Sequence, residues 1–364
     1  MKIKEMIRPL EEMAPISLQE SYDNSGLLIG SPEDEIHGVL ISLDLTDKVI
    51  EEAIMKKCNL IISHHPLIFS GLKRINGKNA TERIVQKAIK NDIAIYAIHT
   101  NLDNVDSGIN KILCDKLGLI NCRILSPKKD LLRKLVTFCP VDHADKVRQA
   151  IFDAGAGNIG NYDSCSFNIA GTGSFKGSPD TNPFVGEKGQ LHYENEIRIE
   201  TIYPVYMEEK VIQALLSVHP YEEVAYDLYK LENKFNRTGA GMTGELKESM
   251  TEIEFLNFVK IITETACIRH SGFTGNKIRK VAVCGGSGSF LIRDAMKAGA
   301  DIFITGDVKY HNFFETENKM LIADIGHFES EQFAKELIYN VLNKNFPTFA
   351  VLISENNTNS VNYL

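Results

Sequence analysis

Short, unbroken apolar runs constrain this chain more than any other feature. GVLISL at 38–43, NLIIS at 59–63 and IAIYAI at 93–98 are too short for buried helices and offer no polar alternate face. KVAVC at 280–284, DIFIT at 301–305 and MLIAD at 320–324 repeat the pattern nearer the other end. A strand that is apolar on both sides must be covered on both sides, which demands a parallel or mixed sheet with helices against it. Helical periodicity over 46–58, 80–91, 105–117, 252–266, 290–298 and 329–343 supplies those helices. The fold class expected is therefore α/β, a layered mixed sheet with helices on its faces.

The stretch 127–234 differs. It reads strand (134–140), helix (144–154), a Gly/Ser/Asn-rich β passage (155–204), helix (207–218) and strand (224–231). That β-α-β-β-α-β order is the ferredoxin-like, split-βαβ pattern of a compact α+β module. At 364 residues the chain exceeds the usual size of one core. The expected division is 1–126 as the first half of an α/β domain, 127–234 as an inserted module, and 235–364 as the second half.

Composition narrows the partners. A net charge of −8 makes nucleic acid an unlikely one, since phosphates need a basic patch. The start MKIKEMIRPLEEMAP lacks the apolar core of a signal peptide, and no run is long enough to span a membrane. Seven scattered cysteines without a CxxC pair read as reduced core thiols. A cytoplasmic location is expected.

Clusters of histidine and carboxylate follow the apolar runs. Ser63-His64-His65-Pro66 comes after NLIIS, His99-Thr100-Asn101-Leu102-Asp103 after IAIYAI, and Gly326-His327-Phe328-Glu329-Ser330-Glu331 after MLIAD. The carboxyl ends of strands are where α/β proteins bind ligands. His327 and Glu331, four apart at a helix start, share a face. Imidazole with carboxylate suits Zn, Mn, Fe, Ni or Co. His64, His65, Asp103, His327 and Glu331 are too many for one closed tetrahedral site and fit two divalent ions per subunit sharing a carboxylate.

SHHPLIF, HTNLD, GDVKYH and GHFESE, in that order, resemble the Nif-three-like family, whose bacterial members are called GTP cyclohydrolase 1 type 2 homologs. SYDNSGLLIG is similar to that family's entry motif, with Tyr22 where Trp is typical. The middle stretch resembles the PII/CutA-like insert of longer bacterial members. The resemblance implies a dinuclear site on the same five residues with Glu331 as bridge, a toroidal homohexamer enclosing the sites, and a small-molecule substrate such as GTP.

Other residues are weaker candidates. His99 and His311 are taken as catalytic acid/base candidates, each set against a purely structural role. Lys309 suits a phosphate or simply solvent. The run Gly285-Gly286-Ser287-Gly288-Ser289 is either an anion cradle or a tight turn, and lacks the Gly-Lys-Ser/Thr of a Walker A loop. Asn24 either positions substrate or caps a turn, Asp44 has no assigned role, and His219 to Glu223 read as a structural turn. Metal-dependent hydrolysis of GTP or a phosphoester is the expected reaction. The alternative is a non-catalytic regulatory or metal-trafficking protein sensing a ligand through its insert.

Overall fold

The computed structural model describes residues 1–364. The chain divides into two compact units, Met1–Pro127 with Asn236–Leu364, and Lys128–Phe235.

The first unit contains two sheets, not the single sheet expected. One has the order Gly26–Ile29, Ala94–Ala97, Leu60–Ser63, Val39–Ser42, Val351–Ile353. Its last four strands are parallel, and Gly26–Ile29 runs antiparallel at the edge. The other has the order Arg269–His270, Leu321–Asp324, Ile302–Gly306, Lys277–Ser287, Phe235–Thr251, Ile120–Lys128. Leu321–Asp324, Ile302–Gly306 and Lys277–Ser287 are parallel at its centre. The apolar runs are these parallel strands. Val39–Ser42, Leu60–Ser63, Ala94–Ala97 and Leu321–Asp324 are buried at every position, as two-sided coverage requires.

The sheets also exchange ends. Ile120–Lys128 joins the second sheet, and Val351–Ile353 joins the first beside Val39–Ser42. Sequence segments and sheets therefore do not coincide. Helices begin where polar side chains satisfy free N–H groups. Asn79 Oδ1 accepts from the Glu82 N–H at 2.8 Å, and Thr251 with Glu254 forms a reciprocal capping box. Gly285 to Ser287 continue the strand Lys277–Ser287 instead of turning into a helix, and Ser289–Leu291 is a 3-10 turn before Ile292–Lys297.

The second unit has strands Leu132–Pro140, Ser166–Lys176, Leu191–Pro204 and Tyr226–Leu231, with helices Ala144–Asp153 and Glu208–Val218. The sheet order Ser166–Lys176, Leu191–Pro204, Leu132–Pro140, Tyr226–Leu231 is antiparallel throughout, a split-βαβ arrangement. Leu135, Cys139, Ile199 and Tyr203 pack against Val147, Ile151, Val211 and Leu215 of the helices. By alternation, Phe138, Glu196 and Arg198 face the side without helices. All seven cysteines are free, and no helix is long and apolar enough to cross a membrane.

Candidate metal centre

Parallel pairing carries the chain past the strand end and sets the first cluster. The His64 and His65 N–H groups donate to the Ser42 and Leu43 carbonyls at 3.2 and 2.9 Å, which fixes the backbone beyond Leu60–Ser63. Thr100–Asp103 forms one helical turn after the neighbouring strand, placing His99 at its start and Asp103 at its end. His327–Glu331 is a short helix after Leu321–Asp324 of the other sheet. The clusters thus come from the carboxyl edges of two sheets, where a single sheet was expected.

Each histidine is held by its outer nitrogen. His64 Nδ1 donates to the Ile98 carbonyl at 2.8 Å. His65, His99 and His327 each donate through Nδ1 to a carboxylate at 2.7 Å, namely Asp44, Asp23 and Asp307. A carbonyl or an ionised carboxylate can only accept, so this network assigns the proton to Nδ1 and leaves Nε2 with a lone pair. Such outer partners are the usual means of orienting a metal-ligating histidine.

The inner nitrogens converge on Glu331. His65 Nε2 and His327 Nε2 each lie 3.0 Å from Glu331 Oε2 and 3.4 Å from one another. His64 Nε2 lies 3.9 Å from Glu331 Oε1 and 3.7 Å from Asp103 Oδ1. Lone pairs facing a carboxylate and each other repel unless a cation sits among them. His64 Nε2 and Asp103 Oδ1 are buried without any hydrogen-bond partner, a costly state that a metal ion would relieve. Three groups bring their ligand atoms close enough to hold an ion: His64 with Asp103 and Glu331, His65 with His327 and Glu331, and His64 with His65 and His99. The donor set fits a divalent metal.

Electrostatics agree with the geometry. Burial drives His64 down to about 4, so it stays a neutral ligand. Burial also opposes charge on His65 and His327, but Asp44 and Glu331 hold the first up at about 10, and Glu331 and Asp307 the second at about 9. A proton there takes the place the site offers a cation. Burial and then the Glu331 charge push the Asp103 carboxyl well above its ordinary range. Burial raises Glu331 too, but the imidazoles gathered around it, His327 first and then His64 and His65, outweigh burial and hold this carboxyl well below that range.

The structure brings His64, His65, His99, Asp103, His327 and Glu331 together. His311 is not among them; it is exposed in the 3-10 turn Tyr310–Phe314, with its ring edge-on to Tyr310. Lys309 is exposed. Asn24 donates to the Ile68 carbonyl at 2.7 Å, and so anchors the loop whose Phe69 ring meets His99. The run is a poor anion cradle, because its glycine N–H groups are already used: Gly285 donates to Asn110, Gly286 to Ser330 and Gly288 to Thr305. His219 donates to the Phe138 carbonyl and accepts from the Tyr221 N–H, as a structural turn would.

Asp23 and Asp307 went unrecognised in the sequence, although both lie in the motifs SYDNSG and GDVKYH. Asp307 follows Ile302–Gly306, so its strand-end position was the available signal. Asp23 precedes Gly26–Ile29. That strand is antiparallel, with Gly26 opposite Ala97, and so its start lies at the edge where the parallel strands end.

Comparison with known proteins places this constellation in a wider group. The chain matches the Duf34/NIF3 (NGG1p interacting factor 3) family over residues 1–360. It belongs to the Duf34/NIF3 family. A relative from Bacillus subtilis, "GTP cyclohydrolase 1 type 2 homolog", is 39% identical over 99% of this chain and 98% of its own. Another of that name, from Halalkalibacterium halodurans, is 46% identical over 84% of this chain and 82% of its own. Among solved structures, a Bacillus cereus protein related to NIF3 superposes with a TM-score of 0.88 at 41% identity, covering 100% of this chain and 99% of its own. The Duf34/NIF3 fold is therefore the frame that holds the histidine and carboxylate cluster.

Proposed function

We propose that the chain is a dinuclear, divalent-metal-dependent hydrolase of the Duf34/NIF3 family, acting on GTP or a related nucleotide or phosphoester. One observation carries this reading: two of the metal-competent groups, His64 with Asp103 and His65 with His327, share Glu331. Its two oxygens face different partners, Oε1 toward His64 and Oε2 toward His65 and His327, as a bridging carboxylate requires. Two divalent ions held by His64, His65, Asp103, His327 and Glu331 would supply Lewis-acid activation of water near neutral pH and would polarise an electrophile.

The protein's own groups do the rest. Asp44, Asp307 and the Ile98 carbonyl fix the imidazoles, so no reorganisation is needed when charge develops. His99, steadied by Asp23 and packed against Phe69, stands beside His64 and His65 with ring centroids 5.2 and 5.3 Å away. With Nδ1 held by Asp23, its Nε2 can take a proton from the attacking water and pass it to a leaving atom, and it takes precedence over His311, which stays outside the cluster. GTP rests on the names of the relatives; the metal identity, zinc or another, rests on the ligand chemistry.

The same reading includes a cytoplasmic, toroidal homohexamer and a PII/CutA-like character for the Lys128–Phe235 unit. Family membership and the free cysteines support these, and light scattering of the purified protein tests the assembly. The activity test incubates metal-loaded protein with GTP, following formate release, and with a phosphoester panel. Turnover abolished by chelation and lowered in His99→Ala supports hydrolysis. Equal background rates in both proteins across the panel would move the reading to a non-catalytic metal-binding regulator.

A further inference from the structure

The Lys128–Phe235 unit holds a cavity of about 550 Å³, a size typical of small-molecule sites. It lies on the sheet face that the helices of this unit leave uncovered. Its floor is the paired strands Ser166–Lys176 and Leu191–Pro204, where Gly171 sits opposite Glu196 and Ile169 opposite Arg198. Glycines keep this floor open. A methyl group at 171 would meet nothing within 4 Å, and one at 173 would lie 2.2 Å from Glu196 Oε2.

The walls are aromatic. The Phe175 ring lies 5.9 Å from Tyr221, which lies 6.4 Å from Phe184. Asn182 N–H donates to Glu222 Oε1 at 2.7 Å, tying the segment that carries Phe184 to the turn that carries Tyr221. That turn is itself fixed by the His219 bonds described above. The cavity is thus built and held.

At its floor lies one buried carboxylate. Glu196 is only 9% exposed, and its Oε1 accepts from the Tyr221 hydroxyl at 2.8 Å. The protein gives Oε2 no donor, since neighbouring Arg198 turns Nη2 to Glu200 at 2.9 Å and its buried Nε has no partner. A carboxylate this buried is expected to have its lone pairs filled.

We propose that this cavity binds a planar nitrogen heterocycle whose edge carries a ring N–H beside an exocyclic NH2, as in guanine or a pterin. The two parallel donors match a carboxylate, and the ring stacks against Phe175, Phe184 and Tyr221. Adenine presents a ring acceptor on that edge and uracil flanks its N–H with carbonyls, so both set lone pairs against Glu196 and are rejected.

Calorimetry on the full chain with guanosine, pterin, adenosine and uridine tests this. Guanosine, pterin or both should saturate near one site per chain, the two arms separating the sources, with adenosine and uridine at least about tenfold weaker. Glu196→Gln should weaken binding about ten- to a hundredfold while melting temperature and metal content hold. If that variant melts early, Gly171→Leu decides, since it fills open space and should abolish binding in a folded protein. Equal affinity for all rings, no saturable binding below millimolar, or full affinity in folded Glu196→Gln or Gly171→Leu would overturn the assignment.

Discussion

His65 and His327, separated by 262 residues in the chain, bring their Nε2 atoms within 3.4 Å of each other across Glu331 Oε2. One follows a strand of the five-stranded sheet, the other a strand of the six-stranded sheet. Their outer nitrogens are fixed by Asp44 and Asp307, so neither ring can turn away without losing a bond to a carboxylate. This convergence of ring nitrogens on a buried acid, which demands a proton or a metal ion among them, is the physical basis of the cation site.

Gly286 makes room for that acid. Its backbone is left-handed, with φ +60°, and a Cβ there would sit 2.3 Å from Glu331 Oε1. Gly286→Ala should cost about 1–2 kcal/mol from the backbone alone and displace the carboxylate as well. The expected result is a lower melting temperature together with reduced bound metal by elemental analysis. Unchanged metal content in the folded variant would show that Glu331 tolerates displacement.

Asp23 acts through His99. Asp23→Asn keeps the shape but removes the charge that fixes the ring, so turnover should fall about ten- to a hundredfold with metal content unchanged. Parallel rate and metal measurements check this. Loss of metal at the same ratio as rate would show that His99 serves as a ligand in its own right.

Much of this was legible in the sequence because continuous apolar strands and the residues at their ends obey simple rules. His64, His65, Asp103, His327 and Glu331 all follow such strands directly, and the structure gathers them. Burial on both faces does not say which sheet a strand joins, so the separation into two sheets was not legible. The long strand Phe235–Thr251 was missed because Gly239, Gly241 and Gly244 break its pattern, although they admit close backbone neighbours such as Ser126 and Ile120. Asp23 escaped because only the antiparallel register brings the start of Gly26–Ile29 to the site.

Acid stability depends on Glu52. Its buried carboxylate accepts from the Ser354 hydroxyl, the Glu355 N–H and Asn356, and pairs with Lys56 at 2.8 Å. Burial opposes the charge, yet Lys56 and these donors prevail and lower its pKa from 4.5 to about 2. A depressed folded value means the contribution is complete above the unfolded pKa and is lost as pH falls from about 4.5 toward 2. Glu52→Gln should therefore destabilise the protein at neutral pH and flatten the pH dependence within that window. Denaturant melts between pH 2 and 7 measure both; an unaltered acid slope would contradict the assignment.

The chain leaves the first unit from Ile120–Lys128 and re-enters it at Phe235–Thr251, strands that are neighbours in one sheet. Replacing the residues after Lys128 and before Phe235 with a short glycine-containing turn should give a folded protein that still binds metal, since none of the ligands lies there. Circular dichroism with elemental analysis checks it. A folded deletion variant without metal would refute the independence of the site.

Metal stoichiometry tests the central claim most directly. Elemental analysis after reconstitution with Zn or Mn and exhaustive dialysis should give about two ions per chain. Glu331→Gln keeps the shape and removes the shared charge, and it should retain at most one ion while remaining folded. Wild-type protein without stoichiometric metal, or folded Glu331→Gln retaining both ions, would contradict the account.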